Sequence, residues 1–401
     1  MAGYHPNRRC RAPATRADRG IQLANNMNLL NKPQALEYVR ERLDLFNRAE
    51  TSNPFAGAAW TLHFIEQVAE DSWTFVIPED RVGGLSLMLL YTEPTTSYRL
   101  SAVANYYASL YSPLISSIDG PAERGPVLAR LVGQLHDFRP RFAVMNWSPL
   151  DRDTGDTANL RRVLSASGWY AKQYDCFGNW YLPCAGISFD DYMKGRDSKL
   201  RNTWLRKRKK FERAASGDAR LEIVVDPAEV PRAMDAYEKV YAKSWKKPEP
   251  YGTFVRQWAH ICARANWLRL GVAWLGDLPI AAQFWFTMHG RASIFKLAYD
   301  EEYSQLSAGT VLSAHMFRHA LDVDRVLEID YLTGDDAYKQ SWMTQRRQRT
   351  GILACNPKTP RGLLIGAQEL AGVITQRWRA RAHPRYTRPR ASPATRASQL
   401  E

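Results

Sequence analysis

Few residues in this sequence point to a metal centre or a disulfide framework. The 401 residues contain 5 cysteines, an odd number, and no Cys-x-x-Cys pair. His315 and His319 are four residues apart, but the glutamate of a His-Glu-x-x-His zinc motif is missing. These absences exclude the common zinc signatures and favour a reducing compartment. We therefore expect no metal.

Long apolar runs are also missing. No run reaches the ~18 to 20 residues of a membrane-spanning helix, and the N-terminal segment lacks the apolar core of about 7 to 15 residues found in secretion signals. That segment is rich in arginine but has no serine before Ser52, which disfavours a transit peptide. The pattern predicts a cytoplasmic protein with a disordered basic extension.

The net charge of +14 is confined to three segments. Residues 1–19 hold five Arg and one Asp, residues 196–213 nine basic and two acidic residues, and residues 377–401 seven Arg and one Glu. The rest of the chain is nearly neutral, so no basic nucleic-acid-binding domain is indicated. Both tails are rich in Arg, Pro, Ala and Thr, which predicts disorder. They are either solvated or in contact with anionic surfaces.

Three apolar segments in the second half predict a meander of antiparallel strands. They are Leu268–Leu275, Ile280–Met288 and Ala292–Tyr299, separated by the turn signals Gly276-Asp277 and His289-Gly290. An apolar pattern with helical spacing follows Gly309. It leads to a short strand, 327–332, that ends in Thr333-Gly334-Asp335-Asp336.

The loop before that helix is a candidate phosphate site. Ser307, Ala308, Gly309 and Thr310 are small enough for a phosphate to approach the backbone. The first N–H groups of a helix lack intrahelical acceptors and lie at its positive end, where a pyrophosphate can bind. An ordinary serine N-cap is the alternative interpretation.

The first half repeats the alternation of strands and helices, which indicates an internal duplication. Its strand-like segments are 73–78, 85–91, 142–147 and 169–182, and its helical segments are 127–138 and 157–167. Because it lacks a serine-glycine helix start and an acidic strand end, we expect a degenerate copy without a donor site. The predicted divisions are 1–50, a basic extension with a first helix; 51–187, the degenerate domain; 188–360, the acyltransferase domain; and 361–401, a helix and basic tail.

From about Ser188 to Pro357 the chain resembles the GNAT acyltransferase superfamily. The resemblance is carried by 199–207, Ser244-Trp245-Lys246, 295–300, 307–312 and 330–335 leading to Tyr338-Lys339. Within that superfamily it is similar to the acetyltransferase-like proteins of bacterial cellulose and exopolysaccharide operons, a branch related to the Fem-type peptidyltransferases. The resemblance implies an α/β (α+β) fold of tandem GNAT-like domains, with mixed, mostly antiparallel sheets flanked by helices.

The resemblance implies transfer of an acetyl group from acetyl-CoA to an amine or hydroxyl of a sugar or polysaccharide precursor. The segment 305–310 contains one glycine where the superfamily's phosphate loop usually has two small positions. A longer acyl-CoA and the charged tRNA used by Fem-type relatives therefore remain as alternative donors. A catalytically inactive accessory protein of polysaccharide assembly is the alternative that is not an enzyme.

Acyl transfer requires a general base, an acid for the leaving thiolate and donors for the oxyanion. We expect Asp330 or Asp335 to act as the base, with a pKa raised by partial burial, and Tyr338 to act as the acid. In the Fem relatives a lysine matching Lys339 lies at the transfer site; a surface lysine is the alternative. Donor-side backbone comes from Leu297, Ala298 and Tyr299.

The expected acceptor side combines aromatic and basic residues. The resemblance places Trp245 and Lys246 at the cleft, and Tyr106 and Tyr107 are suited to stacking on sugars, although a packed tyrosine loop is an equal alternative. Lys296, within an apolar strand, is either an acceptor ligand or half of an ion pair.

The basic helix, 199–213, has Leu200, Trp204 and Phe211 on one side. Its positive band, 206–210, is expected to attract an acidic acceptor or the 3′-phosphate of CoA, or to be solvated.

Overall fold

A computed structural model describes residues 27–116, 124–214 and 218–382. Of the tails predicted to be disordered, residues 1–19 and 383–401 lie outside these ranges, whereas 377–382 are helical, which corrects the prediction for them. Within these ranges, thirteen strands form one mixed sheet. They are β1 (Met27–Leu30), β2 (Thr74–Asp80), β3 (Ser86–Leu87), β4 (Leu90–Thr92), β5 (Arg99–Ala102), β6 (Val144–Asp151), β7 (Tyr170–Pro183), β8 (Ala219–Val224), β9 (Leu268–Leu275), β10 (Leu278–Met288), β11 (Arg291–Tyr299), β12 (Glu328–Asp330) and β13 (Gln345–Cys355).

Helices cover both faces of this sheet. They are α1 (Lys32–Arg40), α2 (Leu43–Glu50), α3 (Ala58–Gln67), α4 (Arg124–Asp137), α5 (Gly155–Ala166), α6 (Phe189–Lys194), α7 (Ser198–Glu212), α8 (Val230–Ala242), α9 (Phe254–Arg264), α10 (Ala308–Arg318), α11 (Ala337–Trp342) and α12 (Pro360–Ala382). None of them, within the described ranges, is long and apolar enough to cross a bilayer.

The strand order shows the duplication that the sequence predicts. It runs β1-β2-β4-β5-β6-β13-β7-β12-β11-β10-β9-β8, with β3 beside β2. In each half, antiparallel strands lead to one parallel pair, β5–β6 in the first half and β11–β12 in the second. A helix joins each pair, α4 in the first and α10 in the second. The predicted tandem GNAT-like fold, mixed and mostly antiparallel, is confirmed.

The two halves exchange their last strands. β13, at the end of the second half, pairs with β6 of the first half and with β7. β7, at the end of the first half, pairs in turn with β12. Separating the halves would therefore break several ladders of backbone hydrogen bonds. The sheet also begins at β1, upstream of residue 51.

The largest apolar core joins both halves on one face. The Trp60 ring on α3 lies 5.6 Å from Phe254 and 5.0 Å from Trp258, both on α9 and both in edge-on geometry. All three side chains are buried. Such contacts between aromatic rings stabilise a core beyond the area they bury. Helices from the two halves thus form one layer.

The turns of the meander match the turn signals. Gly276 has a φ of 57° and Gly290 a φ of 74°, in the left-handed region that glycine adopts without a steric cost. His289 shares that conformation with a φ of 47°. Tight hairpins at these residues align β9, β10 and β11 side by side.

Candidate functional site

The parallel strands β11 and β12 diverge after three residues. Their register pairs Arg291–Ser293 with Glu328–Asp330. Beyond Ser293, β11 continues to Tyr299 alongside β10, while the chain after Asp330 turns away. The divergence leaves one edge of β11 free of a β12 partner, and this edge forms the floor of the candidate site.

Backbone N–H groups of β11 are directed into this opening. The N–H of Asp300 donates to the carbonyl of Ile280 on the β10 side, at 2.9 Å. Because N–H directions alternate along a strand, those of Leu297 and Tyr299 are directed to the open side. They are the donor-side backbone groups that the sequence predicted.

Helix α10 begins at the mouth of this opening. Ser307 precedes it with a left-handed backbone, φ 52°, and its side chain makes no capping hydrogen bond. The interpretation as an ordinary serine N-cap is therefore wrong. The helix instead opens with the small residues Ala308, Gly309 and Thr310. The Thr310 N–H donates to the carbonyl oxygen of Ser307 at 3.0 Å, whereas the N–H groups of Ala308 and Gly309 lie where a helix offers no acceptor.

A buried amide fixes the start of α10 to the sheet. Gln283 on β10 donates from Nε2 to the carbonyl oxygen of Gly309, at 3.1 Å, and to Ser313 Oγ, at 2.7 Å. Its Oε1 accepts from Trp285 Nε1 at 3.0 Å. Every polar atom of the Gln283 side chain is thus used, so α10 is held in place before any ligand binds.

A cavity of about 730 Å³ lies between β11, α10, α11 and α7. It brings together six of the seven residues predicted for the donor, and Ala308 is buried beside them. The lining residues from this set are Leu297, Ala298, Tyr299, Ser307, Gly309 and Thr310. We call this space the donor cavity.

The basic helix α7 forms one wall of the donor cavity, to which it contributes Lys199, Leu200 and Thr203. Further along, Lys207 and Lys210 donate to the carbonyl oxygen of Gln305, at 3.5 and 3.0 Å. Because Gln305 lies two residues before Ser307, this part of the positive band reaches the loop that leads into α10. Positive charge here favours an anionic group at the helix start.

A second cavity, of about 510 Å³, adjoins the first. Its lining includes every residue predicted for the acceptor, namely Tyr106, Tyr107, Trp245, Lys246 and Lys296. Trp245, Leu297 and Tyr338 line both spaces. We call the second space the acceptor cavity, and these three residues mark the junction.

Lys296 has a carboxylate partner that the sequence analysis did not identify. Its Nζ lies 2.5 Å from Glu249 Oε1, while Glu249 Oε2 accepts from Tyr107 at 2.7 Å and from Tyr106 at 3.3 Å. Burial raises the pKa of Glu249, but the charge of Lys296 and the hydrogen bonds from Lys296 and Tyr107 together outweigh burial, so the net pKa is lowered. The two tyrosines are therefore fixed by a carboxylate, and Lys296 is both an ion-pair partner and part of the cavity wall.

Lys339 is buried beneath the acceptor cavity. Its Nζ donates to the carbonyl oxygens of Thr333, at 2.6 Å, and Gly334, at 3.3 Å, and pairs with Asp336 at 3.0 Å. These three contacts match the three hydrogens of the ammonium group. The alternative of a surface lysine is wrong, because only 7% of the side chain is exposed.

The environment of Lys246 differs from that of the other two lysines. Among the described residues, no acceptor lies within hydrogen-bonding distance of its Nζ, which lies 5.9 Å from the Tyr241 ring centroid and 5.8 Å from that of Trp245. Burial, followed by the positive charge of Lys296, lowers the pKa of Lys246 to about 8. A substantial fraction of this amine is neutral near physiological pH, so it can accept a proton.

Asp330 lies away from both cavities. Its carboxylate accepts from Asn179 Nδ2 at 2.6 Å and from the Leu332 N–H at 2.7 Å, and it pairs with Arg347. Burial raises its pKa, but the charge of Arg347 and these hydrogen bonds outweigh burial, so the net pKa is lowered. The predicted raised pKa is therefore wrong, because a buried cation lies beside the carboxylate. The general-base role of Asp330 stays a prediction that this geometry does not favour.

Asp335 lines neither cavity. Arg346 donates to it from Nε at 2.9 Å and Trp180 from Nε1 at 2.8 Å. The hydrogen bond from Arg346 holds the pKa of Asp335 below its usual value, so the expected raised pKa is wrong here too.

Tyr338 is at the junction of the two cavities. Burial raises the pKa of its hydroxyl, which therefore stays protonated at neutral pH.

Sequence reasoning missed Glu249 and Gln283, although each has a signal in the sequence. A lysine within an apolar strand needs an acidic partner, and Glu249 lies in the proline-flanked interruption before α9. A glutamine in the apolar strand β10 likewise needs hydrogen-bonding partners. In both cases the partner lies on a distant segment, so the sequence indicates that a partner is needed without identifying it.

A third cavity, of about 650 Å³, lies at the ends of β6 and the starts of α4 and α5. There Arg124 donates from Nε to Asp156 Oδ1 at 2.6 Å, across the two helix starts. The expectation that the first half lacks an acidic strand end is wrong, since β6 ends in Asp151. That carboxylate accepts from Arg349 at 2.5 Å.

Within the described ranges, no group of three or more His, Cys, Asp and Glu side chains is placed to hold a metal ion.

Residues 198–340 match the family model described as an acetyltransferase (GNAT) domain. This range begins with α7 and ends within α11, so it contains β11, α10 and most of the other residues that line the donor cavity. No curated protein matches the sequence. The chain therefore contains a segment similar to GNAT acetyltransferases. Any statement about its donor or acceptor has to rest on the residues of the chain itself.

Several solved structures are similar to this chain. FemX is 10% identical with a TM-score of 0.54, covering 84% of this chain and 98% of that chain. L-PGS from Bacillus licheniformis is 11% identical with a TM-score of 0.49, covering 84% and 96%. A DUF2156 domain of a putative lysylphosphatidylglycerol synthetase from Agrobacterium fabrum is 12% identical with a TM-score of 0.48, covering 83% and 97%. The likeness to FemX extends over both halves and supports the tandem fold alone.

Proposed function

We propose that this protein transfers an acyl group from a thioester in the donor cavity to a nucleophile in the acceptor cavity. The observation that carries the proposal is the junction at Trp245, Leu297 and Tyr338, where the two cavities meet on the open edge of β11. Two reactants held on either side of such a junction react directly, without a covalent enzyme intermediate.

Acetyl-CoA is the leading donor. The N–H groups that open α10 and the lysines of α7 suit the pyrophosphate and 3′-phosphate of CoA. The N–H of Leu297, on the open edge, is suited to accepting the developing charge on the thioester oxygen. A longer acyl-CoA is an alternative donor, because it carries the same pyrophosphate and 3′-phosphate groups.

The acceptor is an amine or hydroxyl of a sugar-like molecule. Tyr106 and Tyr107 are two aromatic rings held by Glu249, with centroids 4.1 Å apart. Aromatic rings fixed in this way suit the apolar faces of sugars. The narrower assignment, to a cellulose or exopolysaccharide precursor, rests on the family resemblance.

Lys246 is the proposed general base. The acceptor N–H or O–H attacks the thioester carbon, the new C–N or C–O bond forms, and the proton passes to the neutral amine of Lys246. The C–S bond then breaks, and the thiolate takes a proton from Tyr338, which solvent restores. Lys296 and Lys339 are held by carboxylates and carbonyls, so Lys246 is the lysine of this cavity whose amine is free to accept the proton.

A thermal-shift titration of the purified chain tests the donor class. A ligand at 100 times its Kd stabilises a protein by about 2.7 kcal/mol, so binding is visible before an acceptor is known. We expect acetyl-CoA and CoA to raise the melting temperature and ADP to raise it less. No response to any of these ligands or to tRNA would overturn the proposal and favour an inactive accessory protein.

Aminoacyl transfer from a charged tRNA is the second candidate. The observation in its favour is the row of basic residues on α7, which extends from the donor cavity wall to Gln305 and suits a nucleic-acid backbone. The resemblance to Fem-type transferases implies the same donor. A tRNA response that falls steeply with salt, without any response to CoA, would select this candidate over the first.

A further inference from the structure

Helix α12 exposes three leucines to solvent, while Ile365 on the same helix packs against the core. Leu363, Leu364 and Leu370 are 59%, 60% and 48% exposed. Their spacing places them on one side of the helix, since Leu370 follows Leu363 by seven residues, close to two helical turns. A side of a helix with three exposed leucines usually marks a contact surface.

The opposite side of α12 holds the helix against the sheet through glycine. A Cβ at Gly362 would lie 2.2 Å from the carbonyl oxygen of Asn356 and 2.6 Å from that of Ala143. Glu369, on the same side, pairs with Lys172 on β7 at 2.7 Å. The close approach at Gly362 excludes larger side chains, so α12 cannot rotate to bury its leucines.

The sequence beyond this surface identifies the partner by its charge. The leucine spacing continues at Ile374 and Trp378, and residues 377–401 contain seven Arg and one Glu. An apolar helix side followed directly by an arginine-rich segment is typical of helices that lie in the interface of an anionic membrane. A second copy of the chain would bring two strongly positive segments together, which disfavours self-association.

We propose that α12 docks on an anionic lipid bilayer, with Leu363, Leu364 and Leu370 in the headgroup region and with the net positive charge of residues 377–401 adding electrostatic attraction to the bilayer. The surface is separate from the donor and acceptor cavities, whose lining lies between residues 106 and 342. The protein would thus work at a membrane through a helix that lies on the bilayer surface. This inference does not depend on the proposed acyl transfer.

Co-sedimentation of the full chain with vesicles tests the docking surface. We expect binding to vesicles of phosphatidylcholine with about 30% phosphatidylglycerol, little binding to phosphatidylcholine alone, and weaker binding at high salt, because anionic lipid attracts basic segments and salt screens that attraction. The triple variant Leu363→Ser, Leu364→Ser, Leu370→Ser should lower the partition coefficient at least about tenfold, because apolar contact is lost.

The matched control is Val82→Ser with Val323→Ser, which removes two valines that are each 65% exposed elsewhere on the surface. It should bind vesicles like the unaltered chain. Binding that the triple variant retains, or equal binding to both vesicle types, would overturn the proposal. A concentration-dependent dimer that the triple variant abolishes, with no vesicle binding, would also overturn it and assign the surface to a second copy.

Discussion

Helices α4 and α10 occupy equivalent places in the two halves, because each joins the parallel strand pair of its half. At the start of α4, the Arg124 side chain reaches Asp156 at the start of α5, so an ion pair lines the cavity of about 650 Å³ in this half. At the start of α10, the small residues Ser307 to Thr310 leave a cavity of about 730 Å³. The same topology thus yields an open helix start in one half and an ion-paired one in the other, according to a few side chains.

Substitution of the second residue of each helix is expected to give the largest contrast. Gly309→Glu should abolish the acetyl-CoA thermal shift, because a carboxylate placed among the first N–H groups of α10 competes with the pyrophosphate. Gly125→Glu, the matched change in α4, should leave the shift intact. A Cβ at Gly309 would lie 3.4 Å from Tyr299, an ordinary contact, so the fold should survive. If acetyl-CoA raised the melting temperature of Gly309→Glu as much as that of Gly125→Glu, the loop before α10 would not be part of the donor site.

Lys246→Met should lower turnover by roughly 10²- to 10⁴-fold with little effect on the melting temperature. Because the amine must be neutral to act as a base, wild-type activity should rise with pH through about 8, and the variant should lack this rise. Mass spectrometry of lysine acetylation by acetic anhydride across pH measures the same pKa without an acceptor. Lys247→Met, which changes an exposed neighbour, is the control; an ordinary pKa near 10.5 for Lys246 would contradict the assignment.

Asp330→Asn makes the second half resemble the first. Asp330 is the third paired residue of β12 in the parallel pair β11–β12, and Asn146 is the third paired residue of β6 in the parallel pair β5–β6. Removing one charge from a buried pair costs about 3 kcal/mol, so chemical denaturation should show a loss of that order. If Asp330 were the general base, the variant would instead lose turnover without losing stability.

The pH dependence of this stability has a defined sign. Because the net pKa of Asp330 is lowered in the fold, its stabilisation is present above the ordinary carboxyl pKa of about 4 and is lost as pH falls through the lower folded-state value. Asp330→Asn should lack that part of the acid dependence.

Lys339→Met should have the smallest effect. The lysine holds the turn at Thr333 and Gly334, and losing these hydrogen bonds should cost about 1 to 3 kcal/mol while turnover per folded molecule is largely kept. Lys239→Met, which changes an exposed lysine on α8, is the control. A loss of turnover at unchanged melting temperature would instead place Lys339 in the reaction.

Much of the second half could be predicted from local patterns. The strand predicted at Leu268–Leu275 has the same bounds in the structure, and the start of α10 is within one residue of the predicted loop. Period-two patterning and left-handed turn residues are local signals, so they can be read without the fold. The short strand β5, of four residues, was not identified because too few residues alternate.

The acceptor cavity could be predicted only in part. Its aromatic and basic residues carry recognisable chemistry, but the lowered pKa of Lys246 depends first on burial and then on the charge of Lys296, fifty positions away in the sequence. The error for Asp330 has the same origin, because its carboxylate was placed at a strand end without knowledge of Arg347 on β13. Interactions between distant segments set both pKa values.

The sequence by itself determined the α/β class, the meander, the small-residue start of α10 and the location of the positive charge, since each is a property of neighbouring residues. Tertiary structure decided the exchange of β7 and β13, the pairing of Lys296 with Glu249, and the outward leucines of α12. Those depend on which distant segments meet in the sheet and how closely their backbones approach. Burial and charge where these segments contact one another distinguish the reactive Lys246 from the structural Lys296 and Lys339. They also distinguish the start of α10, which is lined by small residues, from the start of α4, which is lined by an ion pair.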